Sequence, residues 1–167
     1  VAAPTAGLHF TPELLARVKA RGVDVATVTL HVGYGTFQPV RVADVEQHSV
    51  EGERYEIAQG AASTINRALA EGRRVVAVGT TTTRALESAA VAPGRIKIGS
   101  GMARLFIYRG FEFKVIGGLL TNFHLPQSSL LMLVAAFAGR KQVIAAYREA
   151  IRRRFRFYSY GDAMLVQ

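Results

Sequence analysis

The chain has 167 residues, half of them hydrophobic and a fifth charged, which is typical of a globular protein and not of a disordered one. Its net charge of +9 favours an anionic partner, whether a nucleic acid, a nucleotide or an acidic membrane. The absence of cysteine excludes disulfides, thiolate metal sites and thiol catalysis. The most apolar run, residues 130–138, is far shorter than the roughly 20 residues of a membrane span, so we expect a soluble protein.

The first half of the chain predicts alternating helices and strands. Thr11, followed by proline and an acid, is typical of a helix start, and this helix is expected to end at Gly22. Residues 23–32 are apolar or β-branched on both faces, which predicts a strand that is covered on both sides. A short strand and another helix should follow, over Glu53–Ile57 and residues 59–71.

The second half continues this alternation. A buried strand over residues 74–79 is predicted to turn through the threonines at 80–83 into a helix over 84–90. The glycine-rich residues 92–103 are predicted to be a loop. A hairpin (strands 105–108 and 113–120), two helices (128–138 and 142–154) and an alternating tail (155–166) complete the chain. This order predicts one α/β domain over residues 1–167, a three-layer αβα-type sandwich with a mixed, largely buried sheet.

Three of the four histidines, His9, His31 and His124, lie where one predicted element meets the next. No two histidines have the i, i+4 spacing and no H-E-x-x-H pattern exists, so a metal site is not favoured. Histidines at such positions can transfer protons or contact a polar substrate, because imidazole titrates near neutral pH. The alternative is a purely structural hydrogen bond at each position.

The four threonines at 80–83 and Arg84 stand between a predicted buried strand and a helix. Free backbone N–H groups at a helix start, hydroxyls and a guanidinium would suit a phosphate, a carboxylate or a ribose. The alternative is that the threonines only cap the helix. There is no G-x-G-x-x-G pattern and no Walker lysine, which argues against an ordinary dinucleotide or nucleoside triphosphate site.

The C-terminal region mixes cations with aromatic rings. Such a mixture can bind phosphates and stack bases, which favours contact with a nucleic acid. The alternative is a solvated helix end whose cations suit the negative end of the helix dipole. The residues concerned are Arg148, Arg152, Arg153, Arg154, Phe155, Arg156, Phe157, Tyr158 and Tyr160.

Many segments together resemble one family, the S-adenosylmethionine:tRNA ribosyltransferase-isomerases of queuosine biosynthesis. Thr-Asn-Phe-His-Leu-Pro at 121–126 and Tyr-Ser-Tyr-Gly-Asp-Ala-Met at 158–164 are two of the matching blocks. The others lie at residues 2–11, 30–33, 35–41, 79–81 with 84 and 86–88, 105–108 and 136–139. The matches are collinear and reach both ends of the chain.

The resemblance implies transfer and isomerisation of the ribosyl group of S-adenosylmethionine onto 7-aminomethyl-7-deazaguanine in a tRNA anticodon. Epoxyqueuosine is formed, and adenine and methionine are released. It also implies S-adenosylmethionine as co-substrate, tRNA carrying the precursor base as partner, no cofactor or metal, no membrane, and a cytoplasmic, monomeric enzyme. The family's chains are longer, so the N-terminal half, with an inserted β-barrel domain, is expected to be absent here. The present residues are expected to form the larger part of the catalytic domain.

The same resemblance implies roles for individual residues. The three histidines are expected to supply the base that takes a C5′ proton and the donor that protonates adenine, in an order that stays open. The expected substrate-binding residues are Thr5, Gly7, Gly35, Thr36, Arg41, Thr80, Thr81, Arg84, Glu87 and Asn122. Those expected to bind tRNA are Arg148, Arg152, Arg153, Arg156 and Tyr158.

Three positions depart from the family's pattern. Glu51 stands where the family has a histidine, Arg109 where it has a proline, and Gly117 where it has an acid. These departures leave open a non-catalytic basic RNA-binding module and an inactive diverged paralogue. A small-molecule nucleotide sensor that uses the threonines at 80–83 is a further alternative.

Overall fold

The computed structural model of the chain describes residues 4–33, 40 and 44–167. Within them the chain forms five α-helices and eight strands. In chain order they are α1 (Pro12–Ala20), β1 (Thr29–His31), β2 (Glu53–Ile57), α2 (Gln59–Ala70), β3 (Val76–Val78), α3 (Thr80–Ala89), β4 (Ala90–Ala92), β5 (Arg95–Ile96), β6 (Gly99–Ala103), β7 (Gly118–Asn122), α4 (Ser129–Ala138), α5 (Arg140–Arg152) and β8 (Ala163–Val166). A 3-10 turn at Thr5–His9 precedes α1.

A mixed three-stranded sheet forms the centre of the fold. Its middle strand, β7, is parallel to β3 and antiparallel to β8, with Val76 opposite Gly118 and Leu119 opposite Val166. Leu119 is completely buried, as expected for a strand that is covered on both faces. Since parallel neighbours end at the same edge of a sheet, the residues that follow β3 and β7 lie side by side.

The other strands form two antiparallel sheets, one with β2 between β1 and β6 and one that pairs β4 with β5. The prediction of a loop over residues 92–103 is therefore wrong. Gly101 in β6 lies against the ring of Tyr55 in β2, which occupies the space that any side chain would need. Glycine at this position therefore allows β6 and β2 to pack closely. The predicted mixed α/β class is confirmed, with the described strands divided among three small sheets.

Two further strand predictions differ from the structure. The strand predicted over residues 23–32 exists only as β1, because residues 23–28 pair with no strand in the described part of the chain. The predicted hairpin is also wrong. A turn forms at Arg109-Gly110, but residues 105–108 form no strand, and β7, which begins at Gly118, pairs with β3 and β8. The N–H groups of residues 114–116, which a hairpin would have used, donate instead to the carboxylate of Glu87.

The helices agree with the sequence predictions more closely than the strands do. Thr11 caps α1 by accepting the Leu14 N–H at 3.2 Å, and Ser128 caps α4 by accepting the Leu131 N–H at 3.1 Å. The helix predicted from Arg84 begins four residues earlier, so that the threonines form the first turn of α3. No single helix within the described ranges is long and apolar enough to cross a membrane.

An aromatic cluster ties the C-terminal segment to the end of β7. The ring centroid of Phe123 lies 5.2 Å from that of Tyr147 on α5 and 5.1 Å from that of Phe157. Such pairs contribute roughly 0.5–1.5 kcal/mol each beyond the burial of their area. The cluster therefore holds α5 and the loop that follows it at the edge where β3 and β7 end.

Candidate active site

A cavity opens at the edge of the central sheet where β3 and β7 end. Its volume is about 480 Å³, including the part that is open to solvent. The 3-10 turn, the start of α3, the end of β7 and the C-terminal loop contribute its wall. Predicted site residues that line it are Thr5, Thr80, Thr81, Asn122, His124 and Tyr158. In α/β proteins ligands usually bind at this edge of the sheet.

The first turn of α3 presents two threonines to the cavity. No side chain of a described residue caps this helix, which follows Gly79 in a conformation with a φ of 94°, so its first N–H groups are not used by that part of the chain. Thr80 and Thr81 line the cavity, whereas Thr83 donates its hydroxyl to the Gly79 carbonyl oxygen at 3.2 Å. Thr82 lines a separate cleft. Two of the four hydroxyls therefore lie at the positive end of a helix dipole, which suits an anionic group.

His124 brings an imidazole to the cavity. Its Nε2 lies 2.9 Å from Thr121 Oγ1, and its backbone N–H donates to the Tyr147 hydroxyl at 2.8 Å. Burial lowers the pKa of His124 from 6.5 to about 4, because the imidazolium would lose its hydration. The ring is therefore neutral at pH 7, so it can accept a proton and does not repel a cationic ligand. Burial also raises the pKa of Tyr147 to about 12, which keeps its hydroxyl protonated beside the histidine.

Asn122 shapes another part of the wall and is 3% exposed. Its Nδ2 donates to the carbonyl oxygens of Tyr158 at 3.0 Å, Ser159 at 3.3 Å and Gly161 at 3.5 Å. These carbonyls fix the orientation of the amide and leave Oδ1 buried, without a hydrogen bond from any described residue. Because an unsatisfied buried acceptor costs about 1–3 kcal/mol, a donor group on a ligand would be favoured there.

Arg84, predicted to bind substrate, does not line the cavity. Its NH1 lies 2.9 Å from Glu53 Oε2, and both side chains are almost completely buried. Its other N–H groups donate to the carbonyl oxygens of Glu51, Ala103 and Leu105 at 3.2, 2.9 and 3.0 Å. The guanidinium therefore joins α3 to the segments around β2 and β6, and we assign Arg84 to holding the fold.

Glu87, predicted like Arg84 to bind substrate from α3, does not line the cavity either. Its carboxylate accepts the backbone N–H groups of Lys114, Val115 and Ile116 at 2.8, 3.1 and 3.0 Å. The reason is helical geometry, since Arg84 and Glu87 are three residues apart and share a face that packs on the protein. Only the first turn of α3 reaches the sheet edge.

His9 and His31 are not among the described residues that line the cavity. His9 ends the 3-10 turn, whose first residues do line it, and its Nε2 is buried without a partner in the described ranges. His31 is exposed at the end of β1, opposite Arg54. The structure thus brings one of the three predicted histidines to the wall, and the division of roles among them stays a prediction.

The remaining predicted substrate residues are placed as follows. Gly7 lines a neighbouring cleft, which it shares with α2 and β3. Gly35, Thr36 and Arg41 lie outside the described residues.

The arginines predicted to bind tRNA are exposed, and most of them already form an ion pair with a carboxylate. The Nε atoms of Arg152 and Arg153 lie 2.8 and 2.6 Å from the carboxylate of Glu149, and these bonds lower the pKa of Glu149 to about 2. Arg156 donates to Asp162 at 2.8 Å, and Arg148 is exposed on α5. Less positive charge is thus available for phosphates than the number of arginines suggests.

Sequence reasoning missed two residues of this site. Thr121 lies three residues before His124 at the same strand end, which is a signal that could have indicated it. Tyr147 comes from a helix 23 residues further along, and no sequence pattern pairs it with His124. Within the described ranges, no group of three histidine, aspartate or glutamate side chains is placed to hold a metal ion.

Known proteins resemble the chain throughout its length. The family described as queuosine biosynthesis protein matches residues 1–166. The S-adenosylmethionine:tRNA ribosyltransferase-isomerases of Pelotomaculum thermopropionicum and Moorella thermoacetica are 59% and 56% identical to it over 99% of its length, which is 48% of theirs. A crystal structure of S-adenosylmethionine tRNA ribosyltransferase from Thermotoga maritima matches with a TM-score of 0.77 at 46% identity, over 97% of this chain and 51% of that one. The chain thus spans about half the length of the relatives it matches.

Proposed function

The chain belongs to the queuosine biosynthesis protein family, and we propose that it carries the S-adenosylmethionine site of a tRNA ribosyltransferase-isomerase. This enzyme would move the ribosyl group of S-adenosylmethionine onto 7-aminomethyl-7-deazaguanine in a tRNA anticodon, with release of adenine and methionine. The observation that carries the proposal is the cavity at the ends of β3 and β7, where a neutral imidazole meets an uncapped helix start. Residues 1–167 would form one α/β domain of the enzyme.

S-adenosylmethionine carries both an anion and a cation, and the cavity has a suitable place for each. Its carboxylate fits the start of α3, where N–H groups and the hydroxyls of Thr80 and Thr81 lie at the positive end of the helix dipole. Its sulfonium would be repelled by an imidazolium. The lowered pKa of His124 removes that repulsion at neutral pH.

The reaction requires proton transfer, and His124 is the best-placed candidate. A sulfonium acidifies the C5′ protons beside it, so a neutral imidazole in the cavity can act as the base. The imidazolium that forms can then protonate adenine as adenine leaves. Thr121 Oγ1, 2.9 Å from Nε2, would orient the ring for both transfers. The Oδ1 of Asn122 would accept an N–H from one of the two substrate bases.

Label transfer tests this function. The full protein that contains these residues, incubated with precursor tRNA and S-adenosylmethionine labelled in its ribosyl group, should move label into tRNA. His124→Gln should lower kcat about 100- to 10,000-fold, the usual contribution of a general acid or base. His48→Gln is the matched control, because His48 packs on Phe106 with ring centroids 4.8 Å apart and does not line the cavity. No transfer by the unmutated protein at saturating substrate would contradict the proposal.

The alternatives make different predictions. A non-catalytic RNA-binding module or an inactive paralogue would bind tRNA without transferring label, and His124→Gln would change nothing. A nucleotide sensor would bind S-adenosylmethionine without any need for tRNA. The high identity to relatives that are named as ribosyltransferase-isomerases favours the enzyme over these alternatives.

A further inference from the structure

The loop over residues 155–162 exposes more aromatic surface than the fold requires. Tyr160 is 88% exposed, and Tyr158 and Phe155 are each 45% exposed. A single exposed apolar side chain is common in proteins. Three aromatic rings within six residues form a patch, and such patches usually mark an interaction site.

Specific bonds build this loop. Asp162 accepts the backbone N–H of Arg156 at 2.7 Å and its guanidinium at 2.8 Å. The Tyr158 N–H donates to the Phe123 carbonyl oxygen at 2.8 Å. Gly161 lies so close to the Arg156 carbonyl that a side chain would not fit there. The loop therefore holds its aromatic side chains in defined places.

Tyr158 adopts a backbone conformation that bulky residues rarely adopt, with a φ of 74°. Such conformations persist only where neighbouring groups enforce them, and they cluster at ligand sites. Here the enforcing group is the buried amide of Asn122, whose Nδ2 donates to the carbonyl oxygens of Tyr158, Ser159 and Gly161. Asn122 thus determines where the loop stands.

The loop borders the cavity. Tyr158 and Ser159 line it, and Tyr160 follows directly in solvent. The ring of Tyr160 would therefore contact the part of a substrate that lies next to the group bound in the cavity. If the reacting group is a nucleotide in an RNA loop, that neighbour is another unpaired base.

The charges around the loop favour RNA bound mainly by stacking. Arg153 and Arg156 are exposed but hold Glu149 and Asp162, whereas Arg154 forms no ion pair with any described residue. Partly neutralised cations attract a polyanion less strongly than free ones, so base–aromatic contacts are expected to supply a substantial share of the affinity at this loop. An exposed ring accepts any base, because every base has a π-face.

We infer that Tyr160 forms a stacking platform for an unpaired base of an RNA loop, beside the nucleotide that enters the cavity, with Asn122 as its positioning residue. The inference rests on the proposed function for the choice of RNA. Its test is a binding measurement that requires no catalysis.

The test measures the Kd for the anticodon stem-loop of the precursor tRNA by fluorescence anisotropy, with the full protein. Tyr160→Ala should raise the Kd about tenfold, because one stacked base is lost. Tyr160→Phe should stay near the unmutated value, since the ring remains. Ile98→Ala is the matched control, because Ile98 is 56% exposed and does not line the cavity. The salt dependence of the Kd should be the same in Tyr160→Ala, since no phosphate contact is removed.

Asn122→Asp tests the positioning role, because it keeps the size of the side chain and removes its N–H donors. Its Kd for the stem-loop should rise, and adding Tyr160→Ala should raise it little further, since both changes remove the same platform. Independent, multiplying effects would show that Asn122 does not act through the loop.

Two results would overturn the platform. One is an unchanged Kd for Tyr160→Ala, and the other is equal weakening by Tyr160→Ala and Tyr160→Phe. Failure of label transfer with normal stem-loop binding would instead count against the proposed function, so the two failures are distinguishable.

Discussion

Two buried polar regions meet on α3, and the protein uses them differently. In the interior region, Arg84 donates to Glu53 and to three carbonyl oxygens, and Glu87 accepts three backbone N–H groups. At the cavity edge, Thr80 and Asn122 are just as buried but border open space, and the Oδ1 of Asn122 accepts no bond from a described residue. Burial alone therefore does not reveal function. Polar groups that the protein satisfies hold the fold, and those with remaining capacity beside a cavity are available to a ligand.

The largest expected effect lies in the interior region. Arg84→Met would remove the guanidinium that lies 2.9 Å from the buried carboxylate of Glu53 and that also donates to three carbonyl oxygens. We expect the free energy of unfolding to fall by about 3–5 kcal/mol in urea denaturation. Arg73→Met is the matched control, because its partners Asp24 and Glu71 are exposed and little change should follow. An equal decrease in the free energy of unfolding in both variants would show that the buried ion pair stabilises the fold no more than the exposed ones do.

The next effect lies at the cavity edge and depends on pH. Above pH 6.5 His124 is neutral in both states, but as the pH falls toward 4 the unfolded chain takes up a proton that the folded chain does not. The free energy of unfolding should therefore fall by about 3 kcal/mol over this interval. The free energy of unfolding, measured by urea denaturation at several pH values across this interval, should depend less on pH in His124→Gln than in the unmutated protein. Thr83→Val, which changes no titratable group, should keep the original slope.

Glu87→Gln separates a structural role from a role in substrate binding. The amide has a single oxygen for the three N–H groups of residues 114–116, so the free energy of unfolding should fall by about 1–3 kcal/mol. The KM for S-adenosylmethionine should not change, because Glu87 does not line the cavity. A raised KM with an unchanged free energy of unfolding would show that Glu87 takes part in substrate binding.

The smallest effect compares two threonines of one helix turn. Thr80→Val removes a hydroxyl that faces the cavity and should raise the KM for S-adenosylmethionine about tenfold, with little change in stability. Thr83→Val removes the hydroxyl that donates to Gly79, so it should lower the free energy of unfolding by about 1 kcal/mol and leave the KM unchanged. The same outcome in both variants would contradict the division of α3 into two regions.

The sequence by itself determined the features that depend on neighbouring residues. The cap at Thr11 and the bounds of β2 are as predicted, because hydroxyl capping and the period of two are local patterns. His124 and the threonines at 80–83 also lie close to the ends of strands, as the predicted alternation of strands and helices indicated. Family membership was evident from the collinear blocks.

Only the tertiary structure decided which polar groups stay available to a ligand. Nothing near Arg84 in sequence shows that Glu53, 31 residues away, holds it, or that Glu87 serves residues 114–116. β6 formed in a segment that looked like a loop, because pairing with β2 joins residues distant in the chain. The neutral state of His124 likewise comes from burial among segments that meet only in the folded chain. Hydrogen-bond partners and local polarity belong to the packed molecule, so no local pattern could have predicted them.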